Sequence, residues 1–386
     1  MPFSPSILVL KGGGVKGIAY VGALEVLEEY GFGFDHFVGT SAGAITAALL
    51  ASGYATGELG IVLKKTDFES FKDSWLPVAL LRLLLKKGLY RGQIFKVWME
   101  DLLRRKFPEF QHSSEIKIRF NHIASRGKRL TVFASSRGHR FIAFDSGVIT
   151  SSLSPANSQA YGVAFACRCS MAIPYFFTPE SIEGNLVFDG GLQNNYPVSA
   201  LLEHDPKVAR SKDFIGLYLG PKNDVADLRL ALLELFSIWQ DGSNQADLNE
   251  FPDRTIVIDP RPVQTTDFSL SEKDICFLIA EGRASALGWL HHWSDQDRKP
   301  SIADVQDAKE IARRFRQNCV QERFRMLIVK LILTATMLGE TRTELAHSIK
   351  KRSPDLPAIL TMPNVRICLS IRSKAQPLCA LRSLRF

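Results

Sequence analysis

Residues 39–43 read Gly-Thr-Ser-Ala-Gly and match the pattern G-x-S-x-G, with Ser41 at the centre. This pattern is typical of a nucleophile elbow, a sharp turn between a strand and a helix that holds a serine at the end of a sheet. An apolar run precedes the motif and a helix of small residues is predicted after it, as the elbow requires. Gly39 and Gly43 allow strand and helix to approach closely. The start of a helix also favours negative charge, because unpaired N–H groups and the positive end of the helix dipole lie there.

A glycine loop is predicted near the N-terminus. The apolar run Ile7 to Leu10 leads into Gly-Gly-Gly-Val-Lys-Gly at residues 12–17, which favours a buried strand followed by a tight turn. Consecutive glycines leave backbone N–H groups unshielded, so these groups can point at one negatively charged atom. In an oxyanion hole each such donor contributes about 2.7–4 kcal/mol to stabilising a developing charge.

Other interpretations of this loop are a phosphate cradle and a plain turn. Gly12, Gly14 and Gly17 fit the dinucleotide fingerprint G-x-G-x-x-G, which expects an acidic residue about 20 positions on, at the end of the second strand. Asp35 lies at a suitable distance in sequence but precedes its predicted strand. The P-loop pattern fails, because Gly17 is followed by Ile18 rather than by lysine and a hydroxyl residue.

A carboxylate motif follows the predicted strand Leu186 to Phe188. Asp189, Gly190 and Gly191 would form only a turn if taken alone, since Asp and Gly are common turn residues. A serine hydroxyl, however, needs a base before it can act as a nucleophile. A carboxylate that is held in place and shielded from water can take that proton.

A Ser-Asp-His triad is the competing arrangement, because His204, His291 and His292 all follow Asp189 in the order that such a triad requires. All three lie in helix-like stretches, where a packed or surface histidine is the simpler interpretation. The remaining histidines show no metal-ligand spacing, so the sequence predicts no metal site.

Apolar runs alternate with amphipathic segments along most of the chain, which favours an α/β fold with a mainly parallel central sheet covered by helices. Strands are predicted at Ile7–Leu10, Phe37–Val38, Leu130–Ala134, Arg140–Phe144, Leu186–Phe188, Phe214–Leu219 and Thr255–Ile258. The predicted organisation is a catalytic domain over residues 5–220, an α/β extension over 221–297 and a helical region over 298–386 that ends in a loosely structured tail.

The composition is that of a globular protein, with 46% hydrophobic residues among 386, which excludes overall disorder. No secretory signal is recognisable at the N-terminus. No apolar run reaches the roughly 18–20 residues that a membrane-spanning helix needs. The six cysteines show no CxxC pair, so we expect reduced thiols and a cytoplasmic protein.

Positive charge is concentrated in the C-terminal quarter. Residues 1–297 carry 30 basic and 33 acidic side chains, whereas residues 298–386 carry 18 basic and 7 acidic ones. No nucleic-acid-binding motif accompanies this charge, so we expect no nucleic-acid partner. Peripheral contact with an anionic membrane is the favoured alternative to a solvated helix face. The apolar stretch at residues 78–85 is predicted to be core, with a membrane-contacting lid as the alternative.

The glycine loop, G-x-S-x-G and Asp-Gly-Gly occur here in the order seen in the patatin-like phospholipase family, which residues 5–220 resemble. The stretch Cys169 to Phe177, upstream of Asp189, is also similar to that family. The resemblance implies a three-layer α/β sandwich and a Ser41–Asp189 dyad in place of a triad. It further implies an oxyanion hole shaped by the glycine loop, and it implies neither metal nor organic cofactor. The loop residues concerned are Gly12, Gly13, Gly14, Lys16 and Gly17.

The leading hypothesis is therefore a lipid acyl hydrolase that cleaves fatty-acyl esters of phospholipids or neutral lipids through an acyl-enzyme. One alternative is a lipid-binding or regulatory protein with little turnover. Another is an acyltransferase that uses the same dyad, which sequence alone does not separate from a hydrolase.

Overall fold

A sheet of eight strands forms the centre of the computed structural model, which describes residues 5–74, 88–110, 117–137, 139–147, 161–220, 246–293 and 299–337. The apolar segment 78–85, residues 221–245 of the predicted α/β extension and the predicted C-terminal tail lie outside these ranges. The chain divides into two compact units, residues 1–319 and 320–386. The sheet and the predicted site lie in the first unit. The described part of the second unit is the end of one helix.

The strands are β1 (Ile7–Leu10), β2 (His36–Thr40), β3 (Gly88–Tyr90), β4 (Arg129–Ser136), β5 (His139–Asp145), β6 (Tyr175–Phe177), β7 (Glu180–Ile182), β8 (Asn185–Asp189), β9 (Phe214–Leu219) and β10 (Thr255–Ile258). The order β10-β9-β1-β2-β4-β8-β7 runs across the main sheet, and β5 pairs with the other edge of β4. The five strands from β10 to β4 are parallel, whereas β5, β8 and β7 join antiparallel. Strands β3 and β6 form a small separate sheet. The predicted α/β fold with a mainly parallel sheet is confirmed.

Both faces of the sheet are buried. Leu8 and Leu10 of β1 belong to one hydrophobic cluster, while Ile7 and Val9 belong to a second cluster on the opposite face. This alternation follows from the two-residue period of a strand. Because helices contribute to both clusters, the sheet lies between two helical layers, as the three-layer prediction requires.

The helices are α1 (Ala19–Glu29), α2 (Ala42–Ala51), α3 (Thr56–Lys65), α4 (Gln93–Arg105), α5 (Phe120–Ala124), α6 (Val163–Ser170), α7 (Gly191–Asn194), α8 (Val198–His204), α9 (Pro206–Ser211), α10 (Glu272–His292) and α11 (Ile302–Met337). Helices α1 and α10 pack closely against each other at two glycines, Gly22 and Gly282. A Cβ atom on Gly22 would stand 1.9 Å from the carbonyl oxygen of Ile279, and one on Gly282 would stand 1.9 Å from that of Ala19. Within the described ranges, no helix combines the length and hydrophobicity needed to cross a bilayer.

Candidate active site

Ser41 lies at the turn between β2 and α2, as the elbow pattern predicts. Its φ of 52° and ψ of −123° place a non-glycine residue in the left-handed half of conformational space, a strain of about 1–3 kcal/mol that neighbours must hold in place. A Cβ atom on Gly39 would stand 2.4 Å from the carbonyl oxygen of Gly43, so the elbow requires glycine there. The turn therefore keeps Ser41 at the carboxyl end of β2.

Strand β4 brings Asp189 to the same place. Thr40, the last residue of β2, pairs with Phe133 of β4, and Asp189, the last residue of β8, pairs with Ala134 on the same edge. Strand β8 thus continues along β4 from the point where β2 ends. Because β8 runs in the opposite direction to β2, the chain reaches Asp189 just where it leaves Thr40 for Ser41.

The Asp189 carboxyl group is fully buried, and burial raises its pKa to about 7. Two hydrogen-bonding groups act in the other direction and lower the pKa, namely the N–H of Gly191, 2.7 Å from Oδ1, and the side chain of Ser41. Oδ2 has no hydrogen-bonding partner of good geometry among the described residues. The Ser41 side chain is therefore close enough to influence the Asp189 carboxyl group. Oδ2 is a buried oxygen that can accept a proton.

The glycine loop lies directly after β1, in front of a 3-10 helix that begins at Gly14. Two of the residues predicted to shape an oxyanion hole use their N–H groups within the protein. The Gly12 N–H donates to the Asn195 carbonyl at 2.8 Å, and the Lys16 N–H donates to the Gly13 carbonyl at 3.3 Å. Within the described part of the chain, the N–H groups of Gly13 and Gly14 have no acceptor. Gly17 lies inside the 3-10 helix. Among the predicted loop residues, Gly13 and Gly14 are therefore the ones whose N–H groups are available for a negatively charged atom, while Gly12 and Lys16 contribute to the shape of the loop.

The dinucleotide interpretation of this loop does not fit the fold. Asp35 precedes β2, and its N–H donates to the carbonyl of Ser6, which precedes β1. The loop follows the carboxyl end of β1, and the two strands are parallel. The acidic residue therefore lies at the opposite end of the sheet from the glycines.

Two residues at the site were not identified from the sequence. Ser170, the last residue of α6, accepts a hydrogen bond from the Ser41 N–H at 2.8 Å. The Asn195 side chain covers Gly12 so closely that a Cβ there would stand 2.0 Å from its Oδ1 atom. Ser170 lies in the Cys169 to Phe177 stretch that resembles the family, which is the only signal in the sequence that points to it.

An apolar pocket opens beside Ser41. Its wall includes a group of aromatic side chains, namely Phe68, Phe71, Phe95, Trp98, Phe177 and Phe268. Gly14, Gly17 and Ala42 also line it, so the pocket meets the glycine loop and the elbow. Its apolar wall suits a hydrocarbon chain.

His204 does not lie in this site. Its Nε2 atom is 3.0 Å from Oδ2 of Asp145, in a buried group that also contains Arg129 and Thr131. Burial acts to raise the pKa of Asp145, but the hydrogen bonds from His204 and Arg129 outweigh it and hold that pKa well below its usual range. Asp145 pairs with Thr131, near the start of β4. His204 is therefore a partner of Asp145.

The other two histidines considered for a triad lie at the end of α10. His291 Nδ1 is 3.1 Å from the Pro300 carbonyl. The adjacent Trp293 packs on Phe32, beyond the C-terminus of α1. Since the glycine loop leads into the N-terminus of α1, His291 and His292 lie at the far end of that helix from the site.

Several known proteins resemble this chain in sequence. The family described as Patatin-like phospholipase matches residues 8–202. The uncharacterized protein YqhO of Bacillus subtilis is 32% identical over 303 residues, which cover 74% of this chain and 98% of that protein. The probable lipid hydrolase 463L of Invertebrate iridescent virus 6 is 28% identical, with 54% of this chain and 67% of the viral protein covered. Lysophospholipase NTE1 of Cryptococcus neoformans is 26% identical over 51% of this chain and 10% of its own length.

Solved structures that resemble this chain are more distant in sequence. VipD from Legionella pneumophila is 15% identical, with a TM-score of 0.47; the match covers 90% of this chain and 80% of the VipD chain. ExoU is 18% identical, with a TM-score of 0.44; the match covers 97% of this chain and 76% of the ExoU chain. The family match and the Bacillus relative establish the class: the chain belongs to the patatin-like phospholipase family.

Proposed function

We propose that this protein is a lipid acyl hydrolase in which Ser41 is the nucleophile and Asp189 is the general base. The observation that carries this proposal is the meeting of β2 and β8 on one edge of β4, which places a strained serine beside a buried carboxylate. A carboxylate with a pKa of about 7 is well matched to proton transfer near neutral pH, since a base is most effective when its pKa is close to the working pH.

The reaction follows from these groups. The Ser41 hydroxyl attacks the ester carbonyl as its proton passes to Asp189, and a C–O bond forms to give a tetrahedral oxyanion. The N–H groups of Gly13 and Gly14 stabilise that oxygen. The ester C–O bond then breaks as the proton on Asp189 passes to the leaving alcohol, and the acyl group stays on Ser41. Asp189 next takes a proton from water, which attacks the acyl-enzyme. The bond between the acyl group and Ser41 breaks, the fatty acid leaves, and the proton on Asp189 returns to Ser41.

The substrate class follows from the pocket and from the relatives. An aromatic wall beside Ser41 provides apolar surface for an acyl chain, and each buried CH₂ group contributes about 0.8 kcal/mol to binding. Two relatives are described as a probable lipid hydrolase and a lysophospholipase. We therefore place the acyl chain of a phospholipid or acylglycerol in this pocket, with its ester at Ser41.

Labelling with a fluorophosphonate probe, combined with measurement of fatty-acid release from phospholipids and acylglycerols, tests this function. We expect the wild-type protein to be labelled and to release fatty acid, and Ser41→Ala to do neither. Asp189→Asn should lose both while remaining folded. Labelling without fatty-acid release in water, but with ester formation on an added alcohol, would instead identify an acyltransferase. A folded protein that binds lipid vesicles but is not labelled would support the lipid-binding alternative.

Peripheral contact with an anionic membrane through the basic C-terminal region is a separate part of the proposal. On α11, Arg313 and Arg314 are exposed and share Glu310, whereas Arg316 is bound to Asp259 and Glu281. Of these three arginines, Arg313 and Arg314 would therefore face an approaching membrane surface. Replacing both with Gln should weaken co-sedimentation with phosphatidylserine vesicles, while a control Arg316→Gln affects stability instead. Equal vesicle binding by wild type and the double variant would contradict this contact.

A further inference from the structure

We propose that Ser170 is a positioning residue for the Ser41 nucleophile, an inference that rests on the proposed function. Its hydroxyl accepts a hydrogen bond from the Ser41 N–H at 2.8 Å and donates one to the Phe133 carbonyl at 2.6 Å. Ser170 is completely buried. One hydroxyl thus links the backbone of the elbow to the backbone of the central strand β4.

The position of this hydroxyl explains why the link is needed. Thr40 is the last residue of β2 paired with β4, and its partner is Phe133. One position further along β4, the neighbour is Asp189 of β8. A gap therefore opens between the chain at Ser41 and strand β4. The Ser170 hydroxyl spans this gap, so that a buried N–H and a buried carbonyl are both satisfied.

The same short segment also holds the base. The Ser170 carbonyl accepts a hydrogen bond from the Gly190 N–H at 3.2 Å, and the Ala172 carbonyl accepts one from the Asp189 N–H at 3.0 Å. Residues 170–172 are therefore bonded on one side to the nucleophile and on the other side to the base. This arrangement fixes the distance between the two groups through the backbone.

Loss of the hydroxyl should affect the reaction step more than substrate binding. Ser41 is held at a φ of 52°, and removing its N–H acceptor gives the strained turn freedom to relax. A displacement of about 1 Å at a reacting group can cost on the order of 100-fold in rate. Ser170 is not among the residues that line the acyl pocket, so the affinity for substrate should change little.

The test compares Ser170→Ala with a matched control, Ser146→Ala. Ser146 is also buried, and its hydroxyl accepts a hydrogen bond from the Leu130 N–H at 2.8 Å, near the other end of β4. For a soluble fatty-acyl ester at pH 8, we expect Ser170→Ala to lower kcat by about 10- to 100-fold with KM changed less than threefold. The control should lose stability in urea but keep its kcat.

Two further measurements separate positioning from a general loss of structure. Ser170→Thr keeps the hydroxyl and should recover most of the kcat. The midpoint of the pH–rate profile should stay near 7 in every active variant, because the Ser170 hydroxyl is bonded to the backbone of Ser41 and Phe133 rather than to the Asp189 carboxyl group. If Ser170→Ala does not fold, Ser170→Cys, whose thiol is a weaker acceptor, should show an intermediate kcat.

Wild-type kcat in folded Ser170→Ala or Ser170→Cys, or an equal loss of kcat in Ser146→Ala, would overturn the positioning role. Ser41→Ala in the same assay distinguishes the two proposals. If Ser41→Ala keeps its activity, the proposed function fails. If Ser41→Ala is inactive and Ser170→Ala is fully active, only the role of Ser170 fails.

Discussion

Gly43 packs directly on Leu10, and a Cβ atom built on Gly43 would stand 2.2 Å from the Leu10 carbonyl oxygen. Leu10 is the last residue of β1, and Gly43 is the second residue of α2, so this contact joins the strand before the glycine loop to the helix after the elbow. Because both contacting groups belong to the backbone, neither can rotate away. The distance between the predicted oxyanion donors and Ser41 is thereby set by a glycine that carries no functional group.

Replacing Gly43 with Ala should therefore reduce both stability and activity. We expect a loss of about 1–3 kcal/mol in the free energy of unfolding, typical of overpacking in a well-packed core. Urea denaturation measures this loss. We also expect kcat to fall, because the added Cβ atom displaces the elbow that holds Ser41. Gly57→Ala is the control, since a Cβ at Gly57 meets nothing within 4 Å, and this variant should keep the stability and kcat of wild type. Similar behaviour of the two variants would contradict the packing argument.

The activity should depend on the ionisation of Asp189. Because burial raises its pKa to about 7, only the fraction that has lost its proton can act as a base. We expect kcat/KM for a soluble ester to rise with pH, with a midpoint near 7 and a tenfold fall per unit well below it. Circular dichroism at each pH provides the control for folding. A flat profile between pH 5 and 9 would exclude Asp189 as the base.

The same carboxyl group should make stability depend on pH in the opposite direction. Its pKa in the folded protein, about 7, exceeds the value near 3.9 of an unfolded chain, so the native state binds the extra proton between these values. The contribution of this carboxyl group to the free energy of unfolding is fully present below pH 4. It is lost as the pH rises to about 7, at up to about 1.4 kcal/mol per pH unit. Asp189→Asn lacks this titration. The free energy of unfolding of the wild type, measured relative to Asp189→Asn, should fall over this window and then level off.

Ser41→Gly and Ser41→Ala should both be inactive but should differ in stability. The φ of 52° at this position suits glycine, whereas alanine keeps the strain of a Cβ atom. We expect the glycine variant to be more stable in urea by about 1 kcal/mol. Equal stability would show that the surrounding contacts relax the turn when the hydroxyl is removed.

The elements that the sequence predicted well are those with a strong local pattern. The apolar run of β1 and the elbow at Ser41 were located because a short pattern determines the turn that follows each strand. The pairing of Asp189 with Ala134 was not predictable, since it depends on the long-range register of an antiparallel strand. The engagement of the Gly12 N–H by Asn195 and the hydroxyl link through Ser170 depend on tertiary contacts in the same way. Local punctuation also predicts helical structure over residues 61–106 with breaks at Pro77 and Gly88, and in the structure strand β3 begins at Gly88, ahead of helix α4.

Substitution of His204 provides a direct comparison between the dyad and the triad. His204 is buried against Asp145, whose carboxyl also binds Arg129 and Thr131. His204→Ala should remove one buried hydrogen bond and leave the others, at a cost of about 1–3 kcal/mol in the free energy of unfolding. Because the His204 ring is hydrogen-bonded to Asp145, kcat per folded molecule should equal that of wild type. His291→Ala should likewise keep its kcat, with a smaller loss of stability, since His291 is only partly buried. A folded His204→Ala or His291→Ala with kcat reduced a thousandfold would instead assign the proton transfer to a histidine, and Asp189 would then no longer be the base.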